Sequence, residues 1–162
     1  KKLKDGPQST KKFFGAITAL GEKLGPILLQ LPPRWNCNVE RLRAFIEGLP
    51  SDFRYALELR NKSWITDEVC DLLRQHHIAF CIYELGGYLS PKIVTADMIY
   101  IRLHGPGKPY EGSYDDAALA GWAGAISSWV RQKKNVYCYF DNDQDAHAPH
   151  NARRLKEMLH DI

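Results

Sequence analysis

The segments MIYIRLH at 98–104, NVYCYFD at 135–141 and FRYALELR at 53–60 carry the reading that decides the fold. Successive side chains of a strand point to opposite faces. Ile99, Ile101 and Leu103 therefore share one face, with Tyr100, Arg102 and His104 opposite them. Val136, Cys138 and Phe140 alternate in the same way with Tyr137, Tyr139 and Asp141, and Tyr55, Leu57 and Leu59 with Ala56, Glu58 and Arg60. In each segment one face is apolar and the other turns polar towards its C-terminal end. A doubly wound sheet, covered by helices on both sides, asks for apolar residues on both faces. A TIM-type barrel packs helices outside and turns its inner face polar at the C-terminal mouth, where active sites sit. The alternation favours the barrel, although a half-buried antiparallel edge shows the same period.

Around these segments, helical and extended patterns alternate. Phe13, Phe14, Ala16, Ile17 and Leu20 stand at helical spacing within 11–23, and GPILLQLPP at 25–33 reads as a short strand stopped by Pro32 and Pro33. Asn38 is placed to cap a helix with a Val39, Leu42, Phe45, Ile46 and Leu49 stripe, and Thr66 opens another through Val69, Leu72 and Leu73. IAFCIYE at 78–84 is a strand, and the segment from Leu85 to Asp97 reads as a connection. Asp115 and Asp116 begin the longest helix, marked by Leu119, Trp122, Ile126, Trp129 and Val130, and Pro149 fits the first turn of a closing one. Five strands alternating with helices predict parallel βα units with right-handed crossovers.

The chain has 162 residues, of which 44% are apolar and 25% charged, with a net charge of +3, so it reads as a single globular domain over 1–162. Fibrous and disordered classes drop out, and near-balanced charge gives no general argument for nucleic acid. No apolar run approaches the roughly 20 residues of a membrane-spanning helix. Cys37, Cys70, Cys81 and Cys138 lie far apart with no C-x-x-C spacing, which reads as reduced thiols in a cytoplasmic protein. A ring of eight strands needs about three more than these five. The fold expectation is therefore an incomplete TIM-type barrel within a longer parent, with open sheet edges prone to self-association.

Four stretches in order, GPILLQLPP at 25–33, ALELRNKSW at 56–64, IYIRLHGP at 99–106 and VYCYFDNDQDAHAPHNA at 136–152, resemble the motif series of the domain-of-unknown-function 72, or YecE-like, family. The likeness runs from about Lys1 to the C-terminus. It implies a TIM-type barrel without its first three strands, and no assigned activity. Similarity of such barrels to sugar-isomerase-like and endonuclease-type folds implies nucleic acid as a candidate partner. Carried onto matching positions, the resemblance singles out Gln30, Glu58, Arg60, Trp64, Arg102, His104, Gly105, Asn142 and Asn151. The chain departs from the family pattern at Asp141, where Asn is usual, and at Tyr83-Glu84-Leu85, where an Asp-containing tripeptide is usual.

These positions form a chemically coherent candidate set. Glu58, His104 and Asp141 are the candidate proton-moving groups, while Arg60 and Arg102 suit an anion. Gln30, Trp64, Gly105, Gly107, Lys108, Asn142 and Asn151 complete the candidate ligand contacts. Paired Glu and Arg groups filling a barrel centre are the competing reading for Glu58 and Arg102. Trp64 either stacks on a base or sugar or staples its turn to the barrel. The loop Gly105-Pro106-Gly107-Lys108 has amides and an ammonium suited to phosphate, but no P-loop pattern. Asp141, Asp143, His147 and His150 read better as solvated loop groups than as a metal site, and no cofactor is indicated.

Two functions follow as expectations. One is an enzyme acting on a phosphorylated, sugar-like or phosphodiester ligand at the C-terminal mouth. The other is a non-catalytic binding domain, with nucleic acid as its candidate partner.

Overall fold

The structure, a computed structural model, describes residues 7–160. It is an α/β fold in which parallel strands alternate with helices, and it comprises two compact units that meet in sequence between Ile78 and Ala79. No described helix is long and apolar enough to cross a membrane.

In the first unit, α1 (Pro7–Ile17) leads into a 3₁₀ segment, Thr18–Lys23. The helical spacing of 11–23 is thus only partly realised: Gly21 takes φ +51°, which a right-handed helix cannot continue through. Strand β1 (Ile27–Leu31) pairs in parallel with β2 (Tyr55–Leu59), Gln30 standing beside Glu58. Every β2 residue is buried. Between them runs α2 (Val39–Glu47), which buries Leu42 and Ile46 and is capped by Asn38, whose Oδ1 accepts from Arg41 N–H at 2.8 Å. Helix α3 (Asp67–Gln75) is capped by Thr66 and buries Val69, Cys70, Leu72 and Leu73. Phe14 of α1 stacks on Phe53 with ring centroids 5.3 Å apart.

In the second unit, β3 (Ala79–Leu85) and β6 (Asn135–Phe140) flank β5 (Met98–Leu103), all parallel. The stretch read as a plain connection contains β4 (Tyr88–Leu89), which folds back antiparallel on β3. Gly86 and Gly87 make that return with φ of +59° and +75°, the left-handed pair that a two-residue hairpin loop requires. Helices α4 (Asp116–Arg131) and α5 (His147–His160) cover one face: Val136, Cys138 and Phe140 share an apolar cleft with Ile126 and Leu155. Burial there pushes the Cys138 thiol up to about 12. Period two turns Tyr137, Tyr139 and Asp141 to the opposite face, with Tyr100 and Arg102 beside them in register. Tyr100 stacks on Tyr139 at 5.0 Å between centroids, and burial raises the Tyr100 phenol above its ordinary range.

Candidate functional site

The candidate residues fall into two clusters, one in each unit. In the first, Glu58 is fully buried on β2 and its Oε1 lies 2.5 Å from Arg60 Nε. A carboxylate removed from water needs such a partner, and a charge-assisted bond at this distance is a strong one. Gln30 is exposed and occupies the neighbouring position of β1. Trp64 takes a different role from stacking on a ligand. Its indole is wholly buried, meets Trp35 edge to face at 5.0 Å, and donates Nε1–H to Trp35 O at 2.7 Å. Asn61 and Ser63 bind the same loop, Asn61 Nδ2 donating to Pro33 O at 2.8 Å and Ser63 Oγ accepting from Cys37 N–H at 2.9 Å. Trp64 is thus the anchor that ties the loop after β2 to the loop after β1.

In the second unit, Arg102 near the end of β5, His104 just beyond it and Asp141 just beyond β6 converge. Arg102 Nη2 lies 3.0 Å from Asp141 Oδ2, the two side chains being 18% and 28% exposed. His104 is fully buried, with Nε2 3.5 Å from the same Asp141 oxygen. Its Nδ1 lies 3.0 Å from the carbonyl oxygen of Glu84, and its ring meets Tyr110 edge to face. A carbonyl only accepts, so Nδ1 carries a hydrogen and Nε2 is the ring atom left to exchange a proton. The arrangement therefore offers a cation, a carboxylate and an imidazole of defined tautomer within one partly open cluster.

The backbone after His104 is fixed by an unusual turn. Gly105 has φ +109°, and a Cβ there would meet Glu111 O at 2.3 Å. No other residue fits that position without displacing backbone. Four amides of this region have partners: Gly105 N–H donates to the Tyr114 hydroxyl, Tyr110 N–H to His104 O, Glu111 N–H to Lys108 O and Gly112 N–H to Gln144 Oε1. Gly107 stands within this loop, and Lys108 is 81% exposed beside Glu111, 3.8 Å away.

Asn142 and Asn151 are both buried, and they lock the loop before α4 to α5. Asn151 Oδ1 accepts from Tyr114 N–H at 3.1 Å and from Asn142 Nδ2 at 2.8 Å, while its Nδ2 donates to Tyr114 O at 3.0 Å. Asn142 Nδ2 also donates to Gly112 O at 2.8 Å. Among the described residues, no group of three or more His, Cys, Asp or Glu is arranged to hold a metal ion.

Sequence reasoning assigns no role to two residues of this cluster, Tyr114 and Glu84, the second noted only as a departure from the family pattern. The Tyr114 hydroxyl accepts from Gly105 N–H and lies beside the Glu84 carboxyl. Burial raises both groups above their ordinary values, and Tyr114 and Lys92 partly offset the rise at Glu84. Neither position follows from periodicity, because one is in a loop and the other lies on the helix-facing side of β3.

A family model described as "Protein of unknown function DUF72" matches residues 1–161. UPF0759 protein YunF of Bacillus subtilis (strain 168) is 24% identical over 165 residues, covering 85% of this chain and 58% of its own length. A crystal structure of a DUF72 family protein from Thermotoga maritima MSB8 superposes with a TM-score of 0.87 at 28% identity, over 97% of this chain and 66% of that one. A second, from Enterococcus faecalis V583, gives 0.80 at 19% identity over 98% and 71%. The chain thus spans 58% of the curated relative and 66% of the first of these structures.

Proposed function

We propose, for a chain that belongs to the DUF72 family of proteins of unknown function, that Arg102, His104 and Asp141 form an anion-handling site in which His104 moves a proton. The observation that carries this reading is the placement of Asp141 Oδ2 between Arg102 Nη2 at 3.0 Å and His104 Nε2 at 3.5 Å, with Nδ1 already committed to Glu84 O. A guanidinium recognises carboxylate or phosphate oxygens through paired N–H donors. An imidazole with a fixed tautomer beside a carboxylate gives and takes a proton at one atom. The substrate class that suits both is a small phosphorylated or sugar-phosphate ligand, or a phosphodiester. Glu58 and Arg60 form a separate carboxylate and cation pair within the first unit.

The test is to titrate inorganic phosphate and a chromogenic phosphodiester into the full-length protein and two variants. Arg102→Ala should weaken binding about tenfold or more, the loss of a charge-assisted contact worth about 1.4 kcal/mol. His104→Asn should abolish turnover while leaving binding within about twofold. Unchanged binding in Arg102→Ala sinks the reading.

A second reading has its own support. Tyr139 is 42% exposed, stacks on Tyr100 and stands opposite Arg102 in register, a pairing of aromatic and cation that also suits a non-catalytic site for single-stranded nucleic acid. Binding of an oligonucleotide that weakens steeply with salt, without cleavage, distinguishes it.

For the architecture, we take residues 1–162 as one domain and the βα alternation as part of a TIM-type barrel. Its support is the apolar and polar alternation along β5 and β6, together with the greater length of the related chains.

A further inference from the structure

We propose that Glu84 and Tyr114 are positioning residues that hold the His104–Gly105 elbow in one geometry, an inference resting on the reading of His104 as the proton-moving group. Glu84 acts from both of its ends. Its carbonyl oxygen accepts from His104 N–H at 2.9 Å and lies 3.0 Å from His104 Nδ1. Its carboxyl lies beside the hydroxyl of Tyr114, and we assign a hydrogen bond between them. A phenol has one hydrogen and two lone pairs. Gly105 N–H donates to the Tyr114 oxygen at 3.1 Å, and the Tyr114 hydrogen is then directed to the Glu84 carboxyl. With that bond assigned, the contacts close a ring: His104 to the Glu84 carbonyl, Gly105 to Tyr114, and Tyr114 back to the Glu84 side chain.

Tyr114 is a suitable fixed point for such a ring. Asn151 holds its backbone at both N–H and C=O, and its ring packs edge to face on Phe140 with centroids 5.7 Å apart. Gly105 admits no larger residue, because backbone atoms of Glu111 and Lys108 fill the space a side chain needs. The consequence is that the carbonyl facing Nδ1 and the turn following His104 are set by one buried network rather than by separate contacts. Positioning of this kind selects the tautomer and so keeps Nε2 towards Asp141.

The experiment uses the full-length protein, isotopically labelled, and reads the ring nitrogens of His104 and the amide of Gly105 by magnetic resonance. In the unmodified protein the neutral ring should carry its hydrogen on Nδ1 alone. Tyr114→Phe, which keeps the ring and removes the hydroxyl, should bring out the Nε2–H tautomer and speed exchange of the Gly105 amide about tenfold, equivalent to about 1.4 kcal/mol. Glu84→Ala should do the same, and Glu84→Gln, which retains an acceptor for the Tyr114 hydroxyl, should restore the original tautomer and protection. The inference is overturned if Tyr114→Phe and Glu84→Ala leave both signals unchanged within about twofold, or if Glu84→Gln behaves like Glu84→Ala. These readouts need no ligand. Failure of phosphate binding or turnover would remove the proposed function without touching the clamp, and an unchanged tautomer would remove the clamp without touching the function.

Discussion

At the scale of single residues, Glu84 has a measurable thermodynamic consequence. Burial raises its carboxyl above the ordinary value of 4.5, with Tyr114 and Lys92 as the facing groups that partly offset the rise. A carboxyl with a raised folded-state pKa binds its proton more tightly in the native state than in the unfolded one. Its contribution to stability is present below 4.5 and is lost as pH rises from there through the folded-state value. Urea midpoints measured from pH 4.5 to 7 should therefore fall more steeply for the unmodified protein than for Glu84→Gln, and parallel profiles would contradict this assignment. The same residue shows what single-residue reading reaches. Arg102, His104 and Asp141 are legible because alternation places them on the polar side of apolar strands. Glu84 is not, because half of its role belongs to a main-chain carbonyl, which any residue type carries. Trp64 illustrates the opposite case: a large aromatic beside a helix start has two readings in sequence, and the buried bond to Trp35 O favours the one that ties its turn in place.

At the scale of elements, local chemistry sets most boundaries. Asn38, Thr66 and Asp115 each accept a backbone N–H three residues ahead, as capping residues do. The helix that Asp115 caps positions Trp122 and Ile126 in the second unit's core, and its start follows directly on the loop that carries Tyr114. Asp115→Ala should lower stability by about 1 kcal/mol through loss of the bond to Ala118 N–H, with His104 unperturbed. Thermal unfolding and the His104 ring signals measure the two parts, and a shift of those signals would show that the cap also orders the loop. Elements with strong periodicity, such as α4 and β5, are legible in sequence to within a residue or two. The turn at Gly86-Gly87 and β4 are not, since two residues carry no period and only the positive φ pair betrays the hairpin. The break at Gly21 is missed for the converse reason, because apolar spacing continues to Leu20 while the backbone departs.

At the scale of the whole chain, the arrangement of strands raises a question of partners. Among the described residues, β1 pairs with β2 on one side and β6 pairs with β5 on one side, and neither has a second neighbouring strand. A strand with one unpaired row of amides and carbonyls is a template for another chain. β6 also presents the exposed ring of Tyr139. Natural edge strands are protected by inward charges, proline or bulges, and NVYCYF has none of these within it. The 162-residue chain should therefore self-associate as its concentration rises, through the rows along β1 and β6. Sedimentation velocity over a range of concentrations measures this. Substituting Lys for Tyr139 places a charge on the edge strand and should shift the distribution towards monomer without unfolding the second unit, because that side chain is already 42% exposed. A chain that remains monomeric at high concentration, with or without that substitution, would mean that these rows are closed in solution.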